Sequence, residues 1–237
     1  MARTVTAAQL VSWVRSKGDW PSAQGSAGDF LTDQEILEEL NAGIASLYRI
    51  LASVHGYEYF RTTSTPSTSV NTETVPLPAD FYKLLGLWWN DGSGVLKPIR
   101  RYMPAEGEYQ VANEGWASLF GGVSYSLVGS SIRFVPTPQA VHVLKLEYAA
   151  APVRLVLDVD TWDGYAGFEE YPVWYAVATF KDKEDLDPGT AISRMKMIEA
   201  DIRASAVRDQ NEPKRAQDLR GWPATSRRGP GSRWGFR

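Results

Sequence analysis

The chain has 237 residues, 43% of them hydrophobic and 12% aromatic, which is enough to fill a sizeable core. It contains no cysteine and two histidines, so disulfides, thiolate nucleophiles and sulfur-ligated zinc are excluded and little imidazole chemistry remains. The net charge of −3 hides an asymmetry, because residues 211–237 hold seven basic and two acidic side chains, net +5, which leaves the other 210 residues at −8.

The first predicted element is a short helix from Thr6 to Lys17. Its apolar side chains fall on neighbouring helical positions, and Gly18 with Asp19 then ends the run. Residues 19–30 are rich in Gly, Ser, Ala and Pro, which predicts a loop long enough to cross over to the next helix.

Thr32 and Glu35 predict the start of a second, longer helix. A threonine followed three residues later by glutamate is a capping box, in which each side chain accepts from the other residue's backbone N–H. Apolar residues follow at helical spacing as far as Leu51, and Gly56 is the expected C-cap. One face of this helix should therefore be buried against other helices.

Residues 57–160 have the pattern of a β domain. The Thr- and Ser-rich run 57–74 favours a partly exposed hairpin, in which Pro66 restricts the strand to an edge or a turn. Residues 79–82 can form one helical turn, and Leu84 to Trp89 predicts a buried strand. This region thus separates the second helix from the third.

The clearest hairpin within the predicted β domain joins 125–128 to 131–135 through the turn Gly129-Ser130. An alternating strand is expected at 141–149, after a short strand at 97–101 and a short helix at 104–112.

Two further helices follow the β domain, from Glu169 to Leu186 and from the Asp187-Pro188 cap to about Ala206. They should form an antiparallel hairpin and close a bundle with the first two helices. The predicted fold is therefore α+β, an antiparallel four-helix bundle with an inserted, mainly antiparallel β domain and an extended C-terminal tail. The expected divisions are 1–56 and 161–210 for the bundle, 57–160 for the β domain and 211–237 for the basic tail.

The tail, residues 211–237, is expected to be disordered alone, because Gly, Pro, Arg and Ser dominate and little apolar surface can be buried. It nevertheless keeps Trp222, Trp234 and Phe236, which a purely solubilising tail would not need. Three interpretations remain open: contact with nucleic-acid phosphates, solubility, or insertion into an acidic, aromatic-lined groove of a protein partner. The spacing of the aromatic residues favours the last.

Other patterns favour ordinary structure over chemistry. Asp158, Asp160, Asp163 and Glu169 are similar to a calcium loop, but Trp162 occupies a ligand position and the glycine is one place late, so a solvated acidic turn is favoured. No catalytic constellation is present, and we expect no enzymatic activity, cofactor or metal. No apolar run reaches about eighteen residues and no signal pattern begins the chain, which predicts a soluble protein without a membrane partner.

The order of five segments resembles the head-to-tail adaptor, or connector, proteins of tailed bacteriophages, the ring that sits below the portal. The segments are FLTDQEILEELNAGIASLYRIL, VPLPADFYKLLGLWW, YSLVGSSIRFVPTP, VLKLEYAAAPVRL and EEYPVWYAVATFKDKEDLDPGTAISRMKMIEADIRA. Together they cover most of residues 30–206.

That resemblance implies a structural virion protein at the head-tail junction, made in the host cytoplasm. Its expected partners are the portal protein, a tail or nozzle protein, copies of itself in a ring of twelve, and genome DNA that passes through the channel without sequence-specific binding. A net-acidic body suits a channel wall, because it repels DNA phosphates.

The resemblance also implies that the tail docks on the portal. The residues expected to make that contact are Trp222, Arg227, Arg228, Arg233, Trp234, Phe236 and Arg237. The alternative is a nucleic-acid-binding protein that uses the Arg-rich tail.

Overall fold

Four α-helices lie within the residues that the computed structural model describes, which are 4–20, 31–90, 95–102, 123–165 and 167–210. They are α1 (Ala7–Gly18), α2 (Asp33–His55), α3 (Glu170–Lys183) and α4 (Gly189–Gln210), and a 3-10 helix, Tyr57–Phe60, follows α2. α3 packs against α1, α2 and α4. None of these helices, as far as the chain is described, is long and apolar enough to span a membrane.

The predicted start and end of α2 and the predicted start of α4 are confirmed by their caps, whereas α3 ends at Lys183 and not at Leu186 as expected. The Thr32 hydroxyl accepts from the Glu35 backbone N–H at 3.2 Å, and the Thr32 N–H donates to Glu35 Oε2 at 3.0 Å. Gly56 ends α2 with φ of 82°, a left-handed value that favours glycine. Asp187 Oδ1 accepts from the Gly189 N–H at 2.8 Å and so caps α4. These contacts are local, which is why sequence spacing predicts them.

Ten strands form three sheets in the described part of the chain. Their bounds are β1 Val5–Thr6, β2 Arg61–Ser64, β3 Thr74–Pro76, β4 Phe81–Asn90, β5 Leu96–Pro98, β6 Arg100–Arg101, β7 Ser124–Val128, β8 Ser131–Val135, β9 Leu144–Ala150 and β10 Thr161–Trp162. The sheet orders are β1-β10, β2-β9-β4-β5 and β3-β8-β7-β6. Within these described sheets the strand pairings are antiparallel apart from the parallel pair β6 and β7.

Strand positions were predicted better than strand partners. The hairpin around Gly129 is confirmed as β7 and β8, and the expected strands near 84–89 and 141–149 are the neighbours β4 and β9. The hairpin expected at 57–74 is wrong, because its first residues form the 3-10 helix and β2 pairs with β9 about 80 residues later. β2 does lie at a sheet edge.

Two local predictions in the same region also fail. Residues 79–82 do not form a helical turn, because Phe81 already begins β4 and pairs with β9. The strand expected at 97–101 is divided at Ile99 between two sheets, and the Ile99 N–H donates to the Leu87 carbonyl at 2.9 Å. The loop and the helix expected at 21–30 and 104–112 lie outside the described residues.

In the described part of the chain, buried side chains form two hydrophobic clusters. One joins the two four-stranded sheets, with Leu144 and Leu146 from one sheet and Ile132 and Phe134 from the other. The second joins the helices and also includes Trp162 and other residues near β10. Burial of apolar surface in both clusters is the main favourable term in folding.

The predicted antiparallel four-helix bundle with an inserted β domain is wrong, and the fold is a mixed α+β arrangement. α1 and α3 have 12 and 14 residues against 23 for α2, so they are too short to line its whole length. Part of α2 is covered by non-helical chain instead: Tyr48 Oη donates to the Ala150 carbonyl at 2.8 Å, and Asn41 binds the Leu155 backbone. β1 precedes α1 and pairs with β10, so the strands are not confined to an insertion. Helical periodicity predicts that a face is buried but does not identify what covers it.

Candidate interaction surfaces

The residues predicted to contact a portal, Trp222, Arg227, Arg228, Arg233, Trp234, Phe236 and Arg237, lie outside the described residues. α4 ends at Gln210, and near its end Ser205 Oγ lies 3.3 Å from His55 Nε2 at the end of α2. The His55 ring stacks on Tyr59 at 5.3 Å between centroids. α4 therefore passes the end of α2 at Ser205, five residues before its last residue, Gln210.

An open groove of about 990 Å³ lies between the 3-10 helix, the residues after β9, and β10. Tyr59, Phe60, Trp162 and Tyr165 supply its aromatic lining. Phe60 and Trp162 each make edge-to-face contacts with Tyr165, at 5.1 and 5.2 Å between ring centroids. We name this feature the aromatic groove.

One wall of the aromatic groove packs against α2, and Tyr59 at its edge is exposed to solvent. Tyr48 of α2, which is buried, stacks on Phe60 at 4.0 Å and so holds the wall in place. Tyr59 is 42% exposed, whereas Tyr165 is 8% exposed. A rigid aromatic surface with one accessible ring is suited to binding flat or apolar side chains.

Two carboxylates, Asp163 and Glu169, also line the aromatic groove. Asp163 Oδ1 accepts from the Tyr165 N–H at 3.1 Å, which holds the turn after β10. Burial, followed by the charge of Asp163, raises the pKa of both Tyr59 and Tyr165. Both phenols are therefore neutral at physiological pH, and the groove offers aromatic faces beside negative charge.

Residues 151–160 form a second candidate surface, which we name the apolar loop. Val156, Leu157 and Val159 are 60%, 60% and 76% exposed. The backbone beneath them is held, because Asp160 Oδ2 accepts the N–H groups of Val156 and Leu157 at 2.7 and 2.8 Å. Exposed apolar side chains on a fixed backbone are typical of protein contact sites.

The four acids that are similar to a calcium loop do not converge. Asp160 is occupied with the loop backbone and Asp163 with Tyr165, while Glu169 is buried at 7% exposure. No cluster of His, Asp or Glu suited to a metal ion occurs among the described residues. Trp162 is 1% exposed and belongs to the core, as expected for an apolar aromatic residue.

Neither surface was predicted from the sequence. The aromatic groove joins residues about 100 positions apart, and no local pattern connects Tyr59 to Tyr165. The apolar loop did leave a signal, because Val153, Val156, Leu157 and Val159 are apolar residues in a segment that no predicted strand or helix required. Asn41 of α2 binds the backbone of Leu155 within this loop, a contact between residues 114 positions apart that the sequence does not show.

A family model described as SU10 adaptor protein matches residues 5–224, which is nearly the whole chain. No curated protein matches this chain.

Proposed function

Because this chain belongs to the SU10 adaptor protein family, a family of phage head-to-tail adaptors, we propose that it is a structural virion protein without enzymatic activity that connects the head to the tail. It would be made in the host cytoplasm and assemble at the head-tail junction. The match over residues 5–224 is the observation on which this proposal depends.

The proposed assembly is a ring of twelve copies that docks on the portal through residues 211–237. Trp222, Trp234 and Phe236 are suited to anchor in apolar pockets, and the arginines to pair with portal carboxylates.

The charge distribution suits the proposed channel. The 210 residues before the tail are net −8, so the wall of the ring would repel DNA phosphates and let the genome slide. The apolar loop offers a fixed apolar surface for a neighbouring copy or the tail component, which would use the ring as a platform.

Deletion of residues 211–237 tests the portal contact. We expect the truncated chain to lose co-assembly with portal rings, measured by electron microscopy and mass measurement, while its thermal unfolding stays unchanged. The matched control is the double variant Arg194→Ala and Lys196→Ala, which removes two exposed cations from α4 and should assemble normally. Normal assembly by the truncated chain would contradict the proposal.

A second comparison separates the two kinds of tail side chain. One variant replaces Trp222, Trp234 and Phe236 with alanine, and the other replaces Arg227, Arg228 and Arg233 with glutamine. If the aromatic residues are the anchors, the first variant should lose more portal affinity than the second at physiological salt, since exposed charge pairs contribute only about 0–1 kcal/mol each.

A further inference from the structure

We propose that the aromatic groove binds residues 211–237 of the same chain before a portal captures them. The ligand class is a basic peptide with aromatic side chains. The portal is the competitor that removes the segment, and in this one respect the proposal rests on the proposed function.

The groove and the segment have complementary chemistry. Tyr59 presents an exposed aromatic ring, beside the half-buried Phe60, on which Trp and Phe side chains can stack and which guanidinium groups can face. Among the described lining residues, Asp163 supplies a carboxylate and Glu169, at 7% exposure, a second one that is buried, against one cation, Arg61, whose Nη1 lies 3.7 Å from Glu147 Oε2. The segment carries net charge +5.

α4 passes close to the groove a few residues before the segment begins. Ser205 of α4 contacts His55 at 3.3 Å, and His55 stacks on the groove residue Tyr59 at 5.3 Å. Gln210 is five residues beyond Ser205, about 7.5 Å along a helix. Fully extended, the twelve residues to Trp222 span about 40 Å and the whole segment about 90 Å, so its aromatic residues can reach the groove.

Attachment in the same chain makes a weak contact sufficient. A short connection gives an effective concentration in the millimolar range, so a peptide with millimolar affinity would occupy the groove for much of the time. The apparent portal affinity then falls by the fraction of chains whose segment is bound in the groove. The contact covers three large aromatic side chains and so prevents their non-specific association with other proteins until the portal binds them more tightly.

Crosslinking tests this contact in the full-length chain. Because the sequence has no cysteine, the pair Val153→Cys and Gly235→Cys introduces the only two thiols. Val153 lines the groove and is 47% exposed. The matched control replaces Val153→Cys with Val128→Cys, at a residue that is 55% exposed on the β7–β8 hairpin and is not a groove residue.

We expect a short bismaleimide to link the Val153 pair within one chain about tenfold faster than the control pair at low protein concentration. Adding Tyr59→Ala, or separately Asp163→Asn, should reduce the rate towards the control. Asparagine keeps an oxygen acceptor for the Tyr165 N–H, so this variant removes charge and preserves the turn.

Equal rates for the two pairs would overturn the inference. A mixture of isotope-labelled and unlabelled chains distinguishes the occupant, and crosslinks found only between chains would overturn it in favour of a second copy. The measurement uses no portal. Equal crosslinking rates would therefore refute the groove contact even if deletion of 211–237 abolishes portal assembly. Fast crosslinking at Val153 could likewise be observed even if the truncated chain still assembles with the portal.

Discussion

Asn41 joins α2 to the apolar loop through both ends of its amide. Its Nδ2 donates to the Leu155 carbonyl and its Oδ1 accepts from the Leu155 N–H, both at 2.8 Å. Asn41→Ala should lower the free energy of unfolding by about 2 kcal/mol, because two hydrogen bonds are lost and buried backbone groups remain unpaired. Urea unfolding measures this. Exposed Glu38→Ala on the same helix is the control, with an expected change within about 0.5 kcal/mol, and equal losses would contradict the role of Asn41.

Asp160 gives the apolar loop a pH dependence. Hydrogen bonds from the backbone N–H groups of Leu157 and Val156 lower its pKa from 3.8 in the folded state. Its ionised form therefore stabilises the fold above the unfolded pKa, and this contribution is lost as the pH falls through the folded pKa.

Asp160→Asn tests that dependence, since asparagine keeps an oxygen acceptor but does not ionise. We expect the variant to melt at a lower temperature than the natural chain by a constant amount from about pH 7 to 5, and the difference to shrink below about pH 4. Circular dichroism melting curves across this range give the comparison. A difference that does not vary with pH would show that the charge of Asp160 is irrelevant.

At the scale of the elements, Gly43 sets how closely α2 and α3 approach. An added Cβ would lie 2.7 Å from Pro172 Cα and 3.1 Å from Tyr175 Cβ. Gly43→Ala should therefore destabilise the protein by about 1–3 kcal/mol through overpacking, although the same change in an exposed helix stabilises by about 0.5–1 kcal/mol. Chemical denaturation measures the change in the free energy of unfolding and so shows whether Gly43→Ala destabilises or stabilises the protein. Exposed Ser53→Ala on α2 should change stability by less than about 0.5 kcal/mol, and a gain at Gly43 would refute the close approach.

The elements also show where sequence reasoning fails. The Thr32 cap and the hairpin at Gly129 depend on residues three to eleven positions apart, and both are confirmed. The pairing of β2 with β9 depends on residues about 80 positions apart, and the expected local hairpin is wrong. An edge strand carries no local sign of its partner, because backbone hydrogen bonds are the same for any strand.

For the whole molecule, salt dependence distinguishes an adaptor from a nucleic-acid-binding protein. Each phosphate contact on duplex DNA contributes about −0.9 to the slope of log affinity against log salt, so the seven basic tail residues would give about −6 together. We expect the chain to bind the portal but to show no such slope for duplex DNA. Fluorescence anisotropy on duplex DNA at increasing salt measures the slope. A steep slope that decreases when Arg227 and Arg228 are replaced with glutamine would favour the alternative.

The sequence by itself determined the features that arise from local spacing: the helices and their caps, the β7–β8 hairpin, the absence of cysteine chemistry and the charge contrast between the body and the tail. The order of its segments was enough to indicate the adaptor family. Only the tertiary structure decided that the helices do not form the expected bundle, that β1 pairs with β10, and that Tyr59, Asp163 and Tyr165 share one groove. These arrangements join residues far apart in the chain, and burial of apolar surface is not directional, so periodicity shows which face is buried without showing against what.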